Sequence, residues 1–547
     1  MDAETSAQFE RSPCGAMAAE SELCRALGQL RSAFHVTKNL DHGAIRLAGG
    51  SAELDDATGC HSGERAKTLD AFLPSMPPES LGDPSFLRSH GVRYAYVAGA
   101  MANGIASTQL VEEMGRAGML GIFGAAGLSL SRVEEAISTL EERAPGDPRG
   151  FNLIHSPNEP ELEAAVAELY QRRTIRLVEA SAFLRLTLPI VRYRVAGIRR
   201  DQVGVIRLPN SVIAKVSRVE VATQFLSPPP NELLSELVRK KELTLDQAAM
   251  ASGIPMAEDV TAEADSAGHT DNRPLVTLLP TLVALRDRLQ ARFRYERVPR
   301  IGAAGGLSTP ASVASAFAMG AAYVVTGTVN QACVESGSCD AVRRMLAQAE
   351  QADIAMAPAA DMFEMGVKVQ VLKRGTMFPM RASRLYELYR ACPSLEALPE
   401  TDRGFVEKQL LRSTLEEAWR ATREFFLERD PAQIERAERD PKHKMALVFR
   451  SYLGMSSRWA NRGEPSRTMD YQVWCGPAMG AFNEWTKGSF LEKPENRQVV
   501  TVALNLLYGA ALVLRHHFLG LQGIHLPAGF GGVHPLEPAR LREALNT

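Results

Sequence analysis

Arg300-Ile-Gly-Ala-Ala-Gly-Gly-Leu-Ser-Thr-Pro310 decides the fold when it is read with Tyr323-Val-Val-Thr-Gly-Thr328. The first stretch is an apolar run that ends at Gly305-Gly306. Ser308, Thr309 and Pro310 then supply cap residues and a first-turn proline for a helix. The second stretch repeats the event, with an apolar run ending at Gly327-Thr328. Glycine lets the backbone approach an anion closely, and a helix N-terminus offers free N–H groups and partial positive charge. Two such junctions on consecutive parallel strands predict a phosphate site at the end of an α/β barrel.

Working outward, six more apolar runs precede this pair. The full set is Tyr94–Met101, Met119–Phe123, Gly150–His155, Ile175–Ala180, Val212–Ser217, Asp259–Ala264, Arg300–Ala304 and Tyr323–Thr326. Helix-period segments lie between most of them, such as Glu159–Tyr170. This alternation predicts an α/β fold, a (β/α)8 TIM barrel, over residues 86–375, with an open doubly wound sheet as the competitor. A Pro-rich turn and two short helical patterns at about 227–257 read as a helical insertion after the fifth strand. An insertion of that kind, if it sits on the C-terminal face, is expected to form a lid. From 376 to 547 the pattern becomes long and helical, and all four Trp lie there. Residues 1–85 read as a lead-in, with short strands expected at Ala33-Phe-His-Val-Thr and Ala44-Ile-Arg-Leu-Ala.

The charge is nearly balanced, 62 Lys+Arg against 64 Asp+Glu, which argues against nucleic-acid binding through bulk positive charge. The apolar run Val499–Leu514 would rise about 24 Å as a helix, short of a ~30 Å hydrocarbon core. A buried helix is therefore expected there, and no membrane span. Seven scattered Cys without CxxC spacing predict no metal site and no disulfide framework. Charged residues near the start replace the apolar stretch of a signal peptide, so a cytoplasmic location is expected.

The other strand ends say what the phosphate belongs to. The first ends in small residues, Val97-Ala-Gly-Ala-Met101, which leave room for a flat ring. Asn152 and His155 close the third, Lys215 lies in the fifth, and His269 follows the sixth. One amide, one Lys and one His around a phosphate site suit a flavin mononucleotide (FMN), whose ring edge takes hydrogen bonds and whose reduced form a cation stabilises. No GxGxxG at a first βα turn points to a Rossmann-held dinucleotide. Plainer readings compete. Lys215 pairs with Glu179 or Glu263 in the barrel mouth, His155 caps the next helix, and His269 is a turn histidine.

These motifs resemble the PfaD family, the trans-acting, FMN-dependent enoyl reductases of polyunsaturated fatty acid and polyketide synthases. The likeness runs from about 80 to 540. It includes Leu81-Gly-Asp-Pro-Ser-Phe, Asn152-Leu-Ile-His-Ser-Pro-Asn-Glu-Pro, Ala214-Lys-Val-Ser-Arg and Gly302-Ala-Ala-Gly-Gly. It continues through Pro358-Ala-Ala-Asp-Met-Phe-Glu-Met-Gly-Val-Lys and Tyr452-Leu-Gly-Met-Ser-Ser-Arg-Trp. More distantly, the barrel half is similar to nitronate monooxygenases and to bacterial FMN-dependent enoyl reductases. The resemblance implies FMN, NADPH and an enoyl thioester on an acyl carrier protein. It implies that Gly99, Ala100, Met101 and Asn152 line the flavin, that Lys215 faces it, and that Ala304, Gly305, Gly306, Gly327 and Thr328 hold its phosphate. His269 matches the active-site histidine. Ala267 stands where the family pattern has Gly, and a positive φ there would strain it.

Two other functions are weighed. A nitronate monooxygenase would use the same flavin with O2. A scaffold would bind carrier protein without catalysis. A homodimer is left open. Lys368, Lys373, Arg374, Arg381 and Arg384 are candidates for a basic face toward an acidic carrier, against a solvated face balanced by Glu364 and Glu387.

Overall fold

The structure, a computed structural model, describes residues 23–39, 45–49, 68–157, 159–525 and 533–547. Its centre is a closed parallel barrel of eight strands in sequence order. They are β1 (Tyr96–Ala98), β2 (Leu120–Phe123), β3 (Arg149–Ile154), β4 (Leu177–Ser181), β5 (Ser211–Val216), β6 (Asp259–Glu263), β7 (Arg300–Ala304) and β8 (Val324–Thr326). Each coincides with one of the eight apolar runs. Every residue of β6, β7 and β8 is buried, as expected for strands covered on both faces. Pairing of Val325 with Val97 closes the barrel, so the open-sheet alternative is excluded.

The helices follow from caps and apolar faces. Ser107 accepts a hydrogen bond from Leu110 N–H and starts α1 (Thr108–Arg116), whose Leu110, Val111 and Met114 are buried. The chain leaves β5 through α2 (Val219–Leu226), and two short helices follow, α3 (Asn231–Arg239) and α4 (Leu245–Ala251). The insertion is therefore helical, but the expected lid is not there. Helix α2 carries the chain back to the N-terminal side of the barrel before the insertion begins. Ala257 N–H donates to Phe225 O (2.9 Å) and Met256 N–H to Ser227 O (3.0 Å), so the segment leaves and returns beside the start of β6. A reciprocal capping box, Thr309 with Ser312, starts α5 (Pro310–Ala318) after β7.

Beyond β8 the chain forms an antiparallel pair, Ile354–Pro358 with Lys368–Leu372, and then a helical lobe with its own core around Phe363, Phe378, Leu385 and Phe449. Within the lobe are α6 (Leu415–Arg429), begun by a Thr414–Glu417 capping box, and α7 (Pro441–Arg462). Asp440 caps α7 and Gly463, at φ 70°, ends it. The last long helix, α8 (Val499–Leu521), packs against α5 and α1. It takes the place on the outer ring that follows β8, though the lobe separates the two in sequence. It is long and apolar enough to cross a membrane by length and composition, yet its apolar window is two-thirds buried against the barrel.

At the N-terminus, Phe34–Asn39 pairs with both Ile45–Gly49 and Thr68–Leu73 in an antiparallel sheet. Two of these strands were expected and the third was not. The fully buried Arg515 of α8 donates to Leu27 O, Gln29 O and Ser32 O and ties this region to the barrel.

Candidate functional site

The C-terminal strand ends converge on one cavity of about 650 Å³. Gly99, Ala100, Met101, Asn152, Lys215, His269, Ala304, Gly305, Gly306, Gly327 and Thr328 all line it. Helices α6 and α7 roof it with Thr422, Phe425, Arg429, Arg450, Met455 and Arg458. The site is thus built by the barrel and the lobe together.

On one side are the β7 and β8 junctions. Gly305 has φ 89° and Gly306 φ 73°, a region that favours glycine. A Cβ at Gly305 would lie 2.7 Å from the Ala264 carbonyl carbon, whereas at Gly306 and Gly327 it would meet only open space. Among the described residues, no hydrogen bond uses the N–H of Gly306, Leu307, Gly327 or Thr328. These free donors beside open space form a cradle suited to an anion.

Across the cavity, Lys215 Nζ lies 3.0 Å from Glu263 Oε1 and 3.9 Å from Glu179 Oε2. Burial would lower the Lys215 pKa, but Glu263 and Glu179 outweigh it and hold the ammonium charged. Burial raises the carboxyl of Glu179 more than Lys215 lowers it. The ion-pair reading of Lys215 is therefore correct, and Lys215 still lines the cavity. Asn152 donates through Nδ2 to Glu179 O (3.1 Å) and Ser181 Oγ (2.9 Å), which leaves its side-chain oxygen for a ligand.

His269 Nε2 lies 3.1 Å from Asp361 Oδ1, on the loop between the two strands that follow the barrel. Burial pushes the imidazole pKa down, but the adjacent carboxylate outweighs it and holds the pKa above the ordinary histidine value. The Trp474 ring lies 6.5 Å away. Ala267 is not among the residues with positive φ, so it brings no strain to this turn. His155 instead pairs with Glu163 (2.8 Å) under the surface, tied to the following helix rather than to the cavity.

Sequence reasoning missed Asp361, Trp474, Arg450 and Arg458. Each is far in sequence from the strand ends, and only the fold of the lobe over the barrel brings them in. Asp361 and Arg458 do lie in stretches that carry the family resemblance. The five-residue basic face fares less well. Arg374 pairs with Asp353 (2.9 Å), Arg381 with Asp470, and Arg384 with Asp402 (2.6 Å), so the cluster is largely neutralised within the chain. Of its two expected balancing acids, Glu387 does pair with Arg384 (3.1 Å), while Glu364 pairs with Arg450 (3.2 Å).

Residues 86–387 match the family model for nitronate monooxygenase. Residues 392–471 match the model for the inserted helical domain of [acyl-carrier-protein] S-malonyltransferase. The crystal structure of the enoyl reductase domain of MlnA, from the macrolactin biosynthesis cluster of Bacillus amyloliquefaciens, is 38% identical with a TM-score of 0.77. That match covers 81% of this chain and all of that domain. One of the polyunsaturated fatty acid synthase subunits of Thraustochytrium sp. is 48% identical over 443 residues, 80% of this chain and 30% of the relative. Polyketide biosynthesis protein PksE of Bacillus subtilis is 42% identical over 451 residues, 82% of this chain and 58% of the relative. The chain thus spans less than two thirds of the length of these curated relatives. Barrel, cavity and family model together define an oxidoreductase of the TIM-barrel class. Within it, the chain belongs to the nitronate monooxygenase-like PfaD family, and its relatives include subunits of a polyunsaturated fatty acid synthase and polyketide biosynthesis proteins.

Proposed function

We propose that this chain is an FMN-dependent, trans-acting enoyl reductase. It reduces the α,β-double bond of an enoyl thioester on an acyl carrier protein with NADPH, in polyketide or polyunsaturated fatty acid biosynthesis. The observation that carries the reading is the pairing of an open backbone cradle on β7 and β8 with Lys215, Asn152 and His269 in one roofed cavity. The residues fit the cofactor. The N–H groups of Gly306, Leu307, Gly327 and Thr328 would hold its phosphate, and Gly99 to Met101 with Asn152 would line its ring. When bound, FMN supplies the hydride relay between NADPH and the β-carbon of the thioester.

The chain's own residues do the rest. Lys215 keeps a fixed positive charge in the roofed cavity. With Nε2 engaged by Asp361, the Nδ1 of His269 is left to hold a proton. That proton can stabilise the thioester oxygen as negative charge builds there, or pass to the α-carbon. The helical lobe excludes water and supplies the wall against which an acyl chain lies.

The test is an assay of the purified chain, with its flavin identified by mass. NADPH oxidation is measured with crotonyl-acyl-carrier-protein, crotonyl thioesters and propionate-3-nitronate. Turnover of enoyl thioesters is expected. The family model favours a second reading, a nitronate monooxygenase. Oxygen-dependent turnover of the nitronate without reduction of any thioester would decide for it. A chain that carries carrier protein but neither flavin nor turnover would be the scaffold.

A further inference from the structure

Lys215, His269, Arg429, Arg450 and Arg458 are the cavity-lining side chains that carry or can carry positive charge. Four of them have a carboxylate. Lys215 has Glu263 (3.0 Å) and His269 has Asp361 (3.1 Å). Arg429 holds Glu159 bidentately, Nε–Oε1 2.7 Å and Nη2–Oε2 2.9 Å, and Arg450 has Glu364 (3.2 Å).

Arg458 is the exception. Among the described residues it forms no ion pair and no hydrogen bond, though it is partly buried on α7. Its guanidinium lies over the Phe425 ring at 5.6 Å from the centroid, and Arg429 lies over the same ring at 5.5 Å. Burial, then Arg429 and Arg462, push its pKa down, so its surroundings disfavour the charge it carries. A guanidinium has five donors in a planar fork and no acceptor. Partly removed from water, beside another cation, it lacks the acceptor that would offset its desolvation. The fork geometry matches a phosphate or carboxylate.

We infer that Arg458 anchors a second phosphate subsite, on the roof of the cavity and separate from the cradle on β7 and β8, which takes the phosphate ester at the tail of a substrate. This rests on the enoyl reductase reading, under which two phosphate-bearing ligands reach this cavity. Each carries a phosphate remote from its reacting end. One is the 2′-phosphate of NADPH, the other the phosphodiester of the phosphopantetheine arm. The chemistry is shared, and the experiment separates the sources.

The full-length, flavin-bound chain is compared with Arg458→Ala and Arg458→Lys. KM is measured in two pairs, NADPH against NADH, and crotonyl-phosphopantetheine against crotonyl-N-acetylcysteamine. In Arg458→Ala the preference for the phosphorylated member is expected to fall about tenfold in at least one pair, with part of it restored in Arg458→Lys. The pair that moves identifies the ligand. If neither ratio moves, or both members of each pair weaken equally, the subsite does not exist. If the wild-type chain reduces no thioester, the enoyl reductase reading fails instead. The subsite is then read directly by calorimetry with NADP+ and with phosphopantetheine. Loss of binding in Arg458→Ala sustains it, and unchanged binding overturns it.

Discussion

His269 and Asp361 stand 92 positions apart and meet at 3.1 Å. The carboxylate holds the imidazole pKa above its ordinary value. A rate that depends on protonated His269 is therefore full at low pH and falls as pH rises through that raised value. Asp361→Asn removes the opposing charge and leaves burial to act alone. The falling limb of the kcat/KM profile should move to lower pH, and an unmoved limb would remove Asp361 from this role. Lys215 acts on stability as well as on the cavity. In Lys215→Met, Glu263 and Glu179 lose their shared cation inside the barrel mouth. A loss of about 3–5 kcal/mol is expected, because an uncompensated buried charge remains. Denaturant titration measures it.

At the scale of the element, the β7 and β8 junctions separate two effects of glycine. Gly305→Ala should destabilise the fold, because its Cβ meets backbone at 2.7 Å on top of a φ of 89°. Gly306→Ala meets nothing within 4 Å. It pays only the left-handed penalty of about 1–2 kcal/mol, while its methyl enters the cradle. Tm should therefore fall further in Gly305→Ala, whereas Gly306→Ala should lose flavin on dialysis out of proportion to its Tm. Equal flavin retention in Gly306→Ala and the wild type would count against the cradle. The opposite end of the barrel bears on stability. Asp259 is fully buried between His90 (2.8 Å) and Arg300 (2.6 and 2.8 Å). Burial would raise its pKa, but its contacts with His90 and Arg300 outweigh it and hold it at about 2. A depressed carboxyl contributes stability above its unfolded value, 3.8, that is lost as pH falls toward 2. Asp259→Asn should flatten the acid side of the stability curve between those values without moving the pH profile of the reaction.

At the scale of the whole molecule, barrel and lobe depend on each other. Helix α8 covers the ring between α5 and α1. A chain ending at residue 375 would leave those faces open to water, and its cavity would lack the roof from α6 and α7. Such a chain is expected to be insoluble or to lack a cooperative melt. A soluble fragment that melts sharply and keeps flavin would show that the barrel closes without its eighth helix.

The barrel was legible because each strand is a short apolar run buried on both faces, and because turn glycines mark where β7 and β8 end. The cradle was legible for the same local reason: backbone conformation at Gly305 and Gly306 depends on the residues themselves. By itself the sequence determined the barrel strands, the helical nature of the insertion and, through the family resemblance, eleven cavity residues at the strand ends and the turn after β6. It did not reveal the side of the barrel on which that insertion lies. That depends on the direction of one crossover helix, which returned the chain to the N-terminal face. Nor did it reveal the third N-terminal strand. Only the tertiary structure decided which acid meets which base. Lys215 with Glu263, His269 with Asp361, and Arg458 with none are pairings across loops, and no period or spacing along a chain encodes them. They follow from the folding of the lobe over the barrel mouth, where distance in space replaces distance in sequence.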